Sequence, residues 1–202
     1  MQRNILLHKL PESVQIGNEI TEINSSYRAG ILLEQIMNDK ELSDIEKISE
    51  ALFLYYGPSG TDGDIAEKIE KILWFYSCGQ FGTAENKKET GGSSQKRIYD
   101  FVFDADYIYA AFLSQYRIDL QEAQEMHWWK FMALFRALGA DNEICRIMQI
   151  RAMEVTSKMS QEQRDHYNRL KRIYQLPDNR TQEEKVQDFS SAFMGAVMKN
   201  GR

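Results

Sequence analysis

Cysteine is nearly absent from this sequence, which has only Cys78 and Cys145, far apart and outside any CxxC pair. That excludes a disulfide scaffold and a cysteine-based zinc site, and fits two small buried or half-buried thiols. The three histidines are equally uninformative as ligands. A carboxylate-bridged di-iron bundle needs Glu-x-x-His on two helices, yet Gln124 precedes His127 by three positions and Gln163 precedes His166. HExxH, GxSxG, GxxxxGK[ST] and GxGxxG are all missing, and Gly91-Gly92 lies in a polar run with no strand before it. No metal, cofactor, active site or nucleophilic apparatus is expected. No run of 18 apolar residues is present, and Pro11, Glu12 and Glu19 interrupt the region where a signal peptide would be apolar. The expectation is a cytoplasmic chain with no membrane partner. A net charge of −5 and a pI near 5.4 argue against nucleic-acid binding through phosphate neutralisation.

What the chain does have is apolar mass. A hydrophobic fraction of 43% with 11% aromatics in 202 residues supports a real core. The densest stretch runs over 119–153, with Met126, Trp128, Trp129, Phe131, Met132, Leu134, Phe135 and Leu138. Spacing predicts a helix over 121–138 with Trp128, Phe131, Phe135 and Leu138 on one face and Trp129, Met132 and Ala133 beside them. Trp128, Trp129, Phe131 and Phe135 are therefore the expected core. Gly139 is expected to stop this helix in the αL region, and Asp141 or Asn142 to cap the next over 142–153. His127 reads as a structural histidine bonded to a neighbour such as Asp119 or Glu122, in preference to a ligand or switch.

Before this core, Val14 and Ile16 alternate with polar residues and Gly17-Asn18 supplies a turn, which predicts a small hairpin. Asn24 or Ser25 is placed to cap a helix with Ile31, Leu32 and Ile36 inward. The capping box Ser43-Asp-Ile-Glu46 opens a second, with Ile45, Ile48, Leu52 and Tyr55 on one face. A third over 62–76 sets Ile65, Ile69, Ile72, Leu73 and Tyr76 against Glu67, Lys68, Glu70 and Lys71. Tyr99 to Phe103 reads as extended, followed by a helix from Asp104 or Asp106 through Tyr116. Ser160-Gln-Glu-Gln163 caps another helix to Tyr174. The fold class is mainly α, a multi-helix bundle with a small N-terminal β-hairpin. Composition divides the chain into 1–78, a flexible linker or loop at 79–97 rich in Gly, Ser, Thr, Asn, Lys and Glu, a helical domain at 98–177, and a tail at 178–202.

Charge is distributed unevenly. Positions 12–74 hold thirteen acidic and five basic residues, whereas 146–174 hold seven basic and three acidic. Solvated helix faces account for this simply; the sharper reading is an electrostatic contact between copies, using Arg164, Arg169 and Arg172. In the tail, Phe189, Phe193 and Val197 recur with Val186 at helical spacing behind the capping box Thr181-Gln-Glu-Glu184. They form a candidate partner-binding stripe.

Several runs together carry a family likeness: Leu10-Pro11-Glu12-Ser13, Ile72-Leu73-Trp74-Phe75-Tyr76-Ser77-Cys78-Gly79, Tyr99-Asp100-Phe101, Ile108-Tyr109-Ala110-Ala111-Phe112, Tyr116-Arg117-Ile118-Asp119-Leu120, and above all His127-Trp128-Trp129-Lys130-Phe131 followed by Ile147-Met148-Gln149-Ile150-Arg151. Over 10–177 the chain resembles the gene-product-fifteen family of tailed phages and prophages of Gram-positive bacteria. The resemblance implies a tail assembly chaperone that has no active site and is absent from the mature virion. The implied partners are the tape-measure protein, the tail-tube protein and further copies of the chain. The rivals are a helical regulator or nucleic-acid-binding adaptor of a mobile element, working through the basic 164–172 helix, and a head-tail connector retained in the particle.

Overall fold

Strands β1 (Ser13–Ile16) and β2 (Glu19–Glu22) pair antiparallel with Ile16 opposite Glu19. Gly17 takes a φ of +56° in the two-residue turn, a conformation that costs glycine little. The computed structural model describes residues 4–81 and 97–177. Among these residues the hairpin is followed by seven α-helices: α1 (Tyr27–Asn38), α2 (Asp44–Tyr56), α3 (Ile65–Tyr76), α4 (Ala105–Tyr116), α5 (Trp128–Arg136), α6 (Glu143–Ala152) and α7 (Gln161–Ile173), with a 3-10 turn at Gly57–Thr61. The protein is mainly α with an N-terminal hairpin, the class its periodicities predict. The expected linker lies almost wholly outside the described residues, as does the tail.

The chain divides into two compact units, and the boundary falls inside α5. The first contains the described residues 4–81 together with 125–132; the second contains 97–124 and 133–177. A division at the linker alone would leave 125–132 with the later residues. Instead this short piece supplies Trp128, Trp129 and Phe131 to the first unit.

In that first unit, α1 is capped by the Ser26 hydroxyl, which accepts from the Arg28 amide. Its inward face is Tyr27, Ala29, Gly30, Leu33 and Glu34, while Leu32 is exposed and Ile31 and Ile36 are half-buried. This differs from the face that Ile31, Leu32 and Ile36 suggest. The reason is Gly30, against which Trp128 lies so closely that a Cβ would stand 2.3 Å from the indole. A large ring meeting bare backbone fixes the rotation of the helix. In α2 the capping box of Ser43 and Glu46 is formed in both directions, and Ile48, Ala51, Leu52 and Tyr55 are buried. Ile45, predicted inward, is 61% exposed. Asn24 meets the last carbonyls of α2, its amide donating to Tyr55 O at 2.9 Å and its side chain to Leu54 O at 3.0 Å.

Helix α3 buries Ile69, Ile72, Leu73 and Phe75, and with them Lys68, which alternation with Glu67 places outside. The Lys68 ammonium donates to Ser59 O at 2.5 Å and Gly60 O at 3.2 Å. It supplies donors to carbonyls that a helical turn leaves unsatisfied.

In the second unit, Phe101 is buried and Phe103 exposed, and 101–104 forms a turn where an extended run over Tyr99 to Phe103 was expected. The cause is hydrogen bonding by Asp100 and Asp104, described below. Gly139 has no positive φ; the αL residue closing a helix here is Arg117, after α4. The Gly139 amide donates to Gln115 Oε1 at 2.8 Å, so the turn is held by a side chain of α4. Ile144 and Ile147 of α6 are fully buried. In α7 the Ser160–Gln163 capping box forms, yet no residue of the helix is buried.

Candidate interaction surfaces

The residues with most chemical capacity are committed internally. His127 is buried between Pro11 O, 2.9 Å from Nε2, and the Trp129 amide, which donates to Nδ1 at 3.0 Å. Since Nδ1 accepts, Nε2 carries the proton and donates to Pro11 O. Burial pushes the His127 pKa down, against smaller upward effects of the Pro11 carbonyl and Glu12. Its partners are therefore backbone groups, not Asp119 or Glu122. This geometry also starts α5 late: Trp128 N donates to Ser25 O and Tyr27 N to Met126 O, both at 2.8 Å. Residues before Trp128 are thereby held in bridge pairing with the segment ahead of α1, and not in a helix over 121–138.

The two tryptophans close the end of α3. Cys78, with φ of +56°, occupies the left-handed position after this helix. Cys78 N donates to Phe75 O at 3.0 Å and Gly79 N to Trp74 O at 2.8 Å, a Schellman arrangement. Two carbonyls then take the indoles: Trp129 Nε1 donates to Phe75 O at 2.7 Å and Trp128 Nε1 to Tyr76 O at 2.8 Å. The Trp74-Phe-Tyr-Ser-Cys-Gly79 and His127-Trp-Trp129 runs are thus two halves of one contact. Around it Tyr76, Trp128, Phe131 and Tyr27 stack in succession, with centroid separations of 5.3, 5.7 and 5.1 Å. Trp128, Trp129 and Phe131 are all buried. Nearby, Tyr76 donates to the buried Glu34 carboxylate at 2.5 Å.

In the second unit the polar centre is Asp104, which is completely buried. Arg151 grips it with two guanidinium nitrogens at 2.6 and 2.8 Å, and also donates to Ile98 O at 3.0 Å and Tyr174 O at 2.6 Å. Asp104 further accepts from the Asp100 amide, while Asp100 accepts from the Val102 and Phe103 amides and from Arg97. Arg151 thereby joins the segment before α4, the end of α6 and the residue after α7. Sequence reasoning missed this pair; the signal was Arg151 closing the largely apolar Ile147-Met-Gln-Ile150 run. Phe135 packs here with its ring against Tyr99 and Phe101, at 4.9 and 5.4 Å. A cleft of about 350 Å³ opens beside it, lined among others by Leu138, Cys145 and Met148.

Among the described residues no three His, Cys, Asp or Glu are grouped to hold a metal, and no helix is long and apolar enough to cross a membrane. Both cysteines are free thiols. What remains on the surface is apolar side chains set among charges: Ile20 on the hairpin, Ile45 and Phe53 on α2, and Ile173 on α7. Arg169 and Arg172 are exposed on α7, whereas Arg164 is half-buried and donates to Gln161 Oε1 and Ser157 O. The candidate tail residues Phe189, Phe193 and Val197 lie outside the described residues.

The paired tryptophans, the α3 terminus and the Arg151 element all fall within 6–176, the span over which the chain matches the family described as Bacteriophage Gp15 protein. The chain belongs to this Gp15 family. No curated protein and no solved structure matches it. The family match covers the described residues of both units almost entirely and stops before the tail. In this Gp15 protein the matched span holds both the indole-to-α3 closure and the Asp104–Arg151 pair.

Proposed function

We propose that this Gp15-family protein is a non-enzymatic tail assembly chaperone, which binds the tape-measure protein in the host cytoplasm during tail morphogenesis and leaves before the particle matures. The observation that carries the reading is the contrast between interior and surface. His127, Lys68, Asp104 and Arg151 are occupied in holding the fold, while single apolar residues stand exposed within charged helix faces. Such faces suit a long amphipathic helical partner, whose apolar positions need transient cover. The nucleic-acid adaptor reading has less support, because the exposed side of α7 sets Glu162 and Asp165 among Arg169 and Arg172 and so offers phosphates no unbroken basic surface.

The tail supplies the test. Phe189 and Phe193 serve as anchors of a helix-in-groove contact, with Met194 and Met198 adapting to an irregular partner. A chain ending at Pro177 is expected to keep the helical circular dichroism of the full protein but to recover less tape-measure protein on co-expression and purification. Unchanged recovery removes the tail from recognition, and unfolding of the shortened chain shows that the tail belongs to the core.

A further inference from the structure

The outer face of α2 and the last turn of the outer face of α7, beyond Glu162 and Asp165, are complementary in charge, and each carries an exposed apolar residue. On α2 the side opposite Ile48, Ala51, Leu52 and Tyr55 presents Glu46, Ser49, Glu50 and Phe53, all exposed, with Phe53 at 61%. Positions 46, 50 and 53 follow the four- and three-residue steps that align side chains on a helix. Phe53 is thus an aromatic with two carboxylates in the two turns before it on the same face. On α7, Arg169, Arg172 and Ile173 are exposed at three- and four-residue steps from position 169, with Ile173 at 62%. This is an aliphatic side chain flanked by two guanidinium groups. Among the described residues neither Arg169 nor Arg172 has an ion-pair partner.

The α2 face is also fixed in place. Glu46 Oε2 accepts from the Ser43 amide at 2.8 Å and the Ser43 hydroxyl at 2.6 Å, so its carboxylate is held before any partner arrives. A preformed charge loses less side-chain entropy on binding than a free one.

We propose that the Glu46–Glu50–Phe53 face of α2 in one copy docks on the Arg169–Arg172–Ile173 face of α7 in a second copy. The two faces differ, so the contact is heterologous and each copy keeps one face open for the next. Growth is therefore head to tail. One helix face per copy buries less than the roughly 1,000 Å² expected of a stable interface, so the contact is weak alone and is screened by salt. Copies aligned along one long partner would reinforce it through effective concentration; only this last consequence rests on the chaperone reading.

Sedimentation velocity of the full chain, with no tape-measure protein present, tests the contact. The wild type is expected to form a concentration-dependent series beyond the dimer at low salt and to return to monomer at high salt. One variant combines Glu50→Gln with Phe53→Ser, and the other Arg169→Gln with Arg172→Gln; each should be monomeric with unchanged circular dichroism, because all four side chains are exposed. Mixed together they should stop at a 1:1 complex, since each supplies one intact face and neither can extend. A wild type that is monomeric at high concentration and low salt overturns the proposal, as does either variant assembling like the wild type. If only a chain lacking 178–202 assembles, the tail covers one of the faces and the proposal falls. The readout contains no tape-measure protein, so a failure of the chaperone reading leaves this result unchanged.

Discussion

At position 30 a Cβ would lie 2.3 Å from the Trp128 ring, nearer than non-bonded atoms approach, so the side chain that glycine lacks is replaced by the indole. On an exposed helix, Gly→Ala gains about 1 kcal/mol of propensity. Here overpacking should outweigh that gain, and Gly30→Ala is expected to lower stability by roughly 1 to 3 kcal/mol in denaturant unfolding. A neutral or stabilising result would mean that Trp128 moves away freely. His127 gives a second test at this scale. Its folded pKa is depressed by burial below the ordinary 6.5, so the unfolded chain takes up the proton more readily. Its contribution to stability is full above about pH 6.5 and is lost as pH falls through the folded value. Unfolding free energy should therefore drop on acidification from neutral pH, and this part of the slope should vanish in His127→Ala. The structural role of His127 was legible from its place beside two tryptophans. Its partners were not, because Pro11 O is more than a hundred positions away and backbone carbonyls leave no mark in sequence.

At the scale of whole elements, local side-chain signals fix where helices begin, whereas long-range contacts fix which faces turn inward. Capping boxes at Ser43 and Ser160 mark their helices correctly because the signal is local: two side chains and two amides within four residues. Inward faces were harder. Apolar spacing favoured Leu32 and Ile45, but Gly30 and the buried Ile48–Leu52–Tyr55 stripe set the rotation of α1 and α2. The start of α5 was misplaced because Met126 and Trp128 bond to Tyr27 and Ser25, a long-range pairing that helix periodicity cannot show. The Asp104–Arg151 pair makes a sharp prediction at the element scale. Arg151→Met leaves a fully buried carboxylate unpaired and is expected to cost about 3 to 5 kcal/mol. Combining it with Asp104→Leu should cost less than the two single changes added together, because the pair is coupled. Additive losses in calorimetric or denaturant unfolding would show that each residue acts alone.

For the whole molecule, composition separates 79–97 from its surroundings, yet the compact units do not follow that division: 125–132 returns to the first unit and carries both tryptophans of the central run. A contact between an element near position 76 and one near position 128 is a tertiary fact. Only the family resemblance, which names both runs together, hinted at it. The same resemblance brought the tape-measure protein into view, which neither charge nor periodicity did. The central claim is transient attachment to that protein. It is tested most directly by counting this chain against the tape-measure protein, by quantitative mass spectrometry, in purified tail-assembly intermediates and in mature phage particles. Several copies per tape-measure chain are expected in the intermediates and none in the mature particle. A fixed number of copies retained in the mature particle, or none in any intermediate that contains the tape-measure protein, would contradict it.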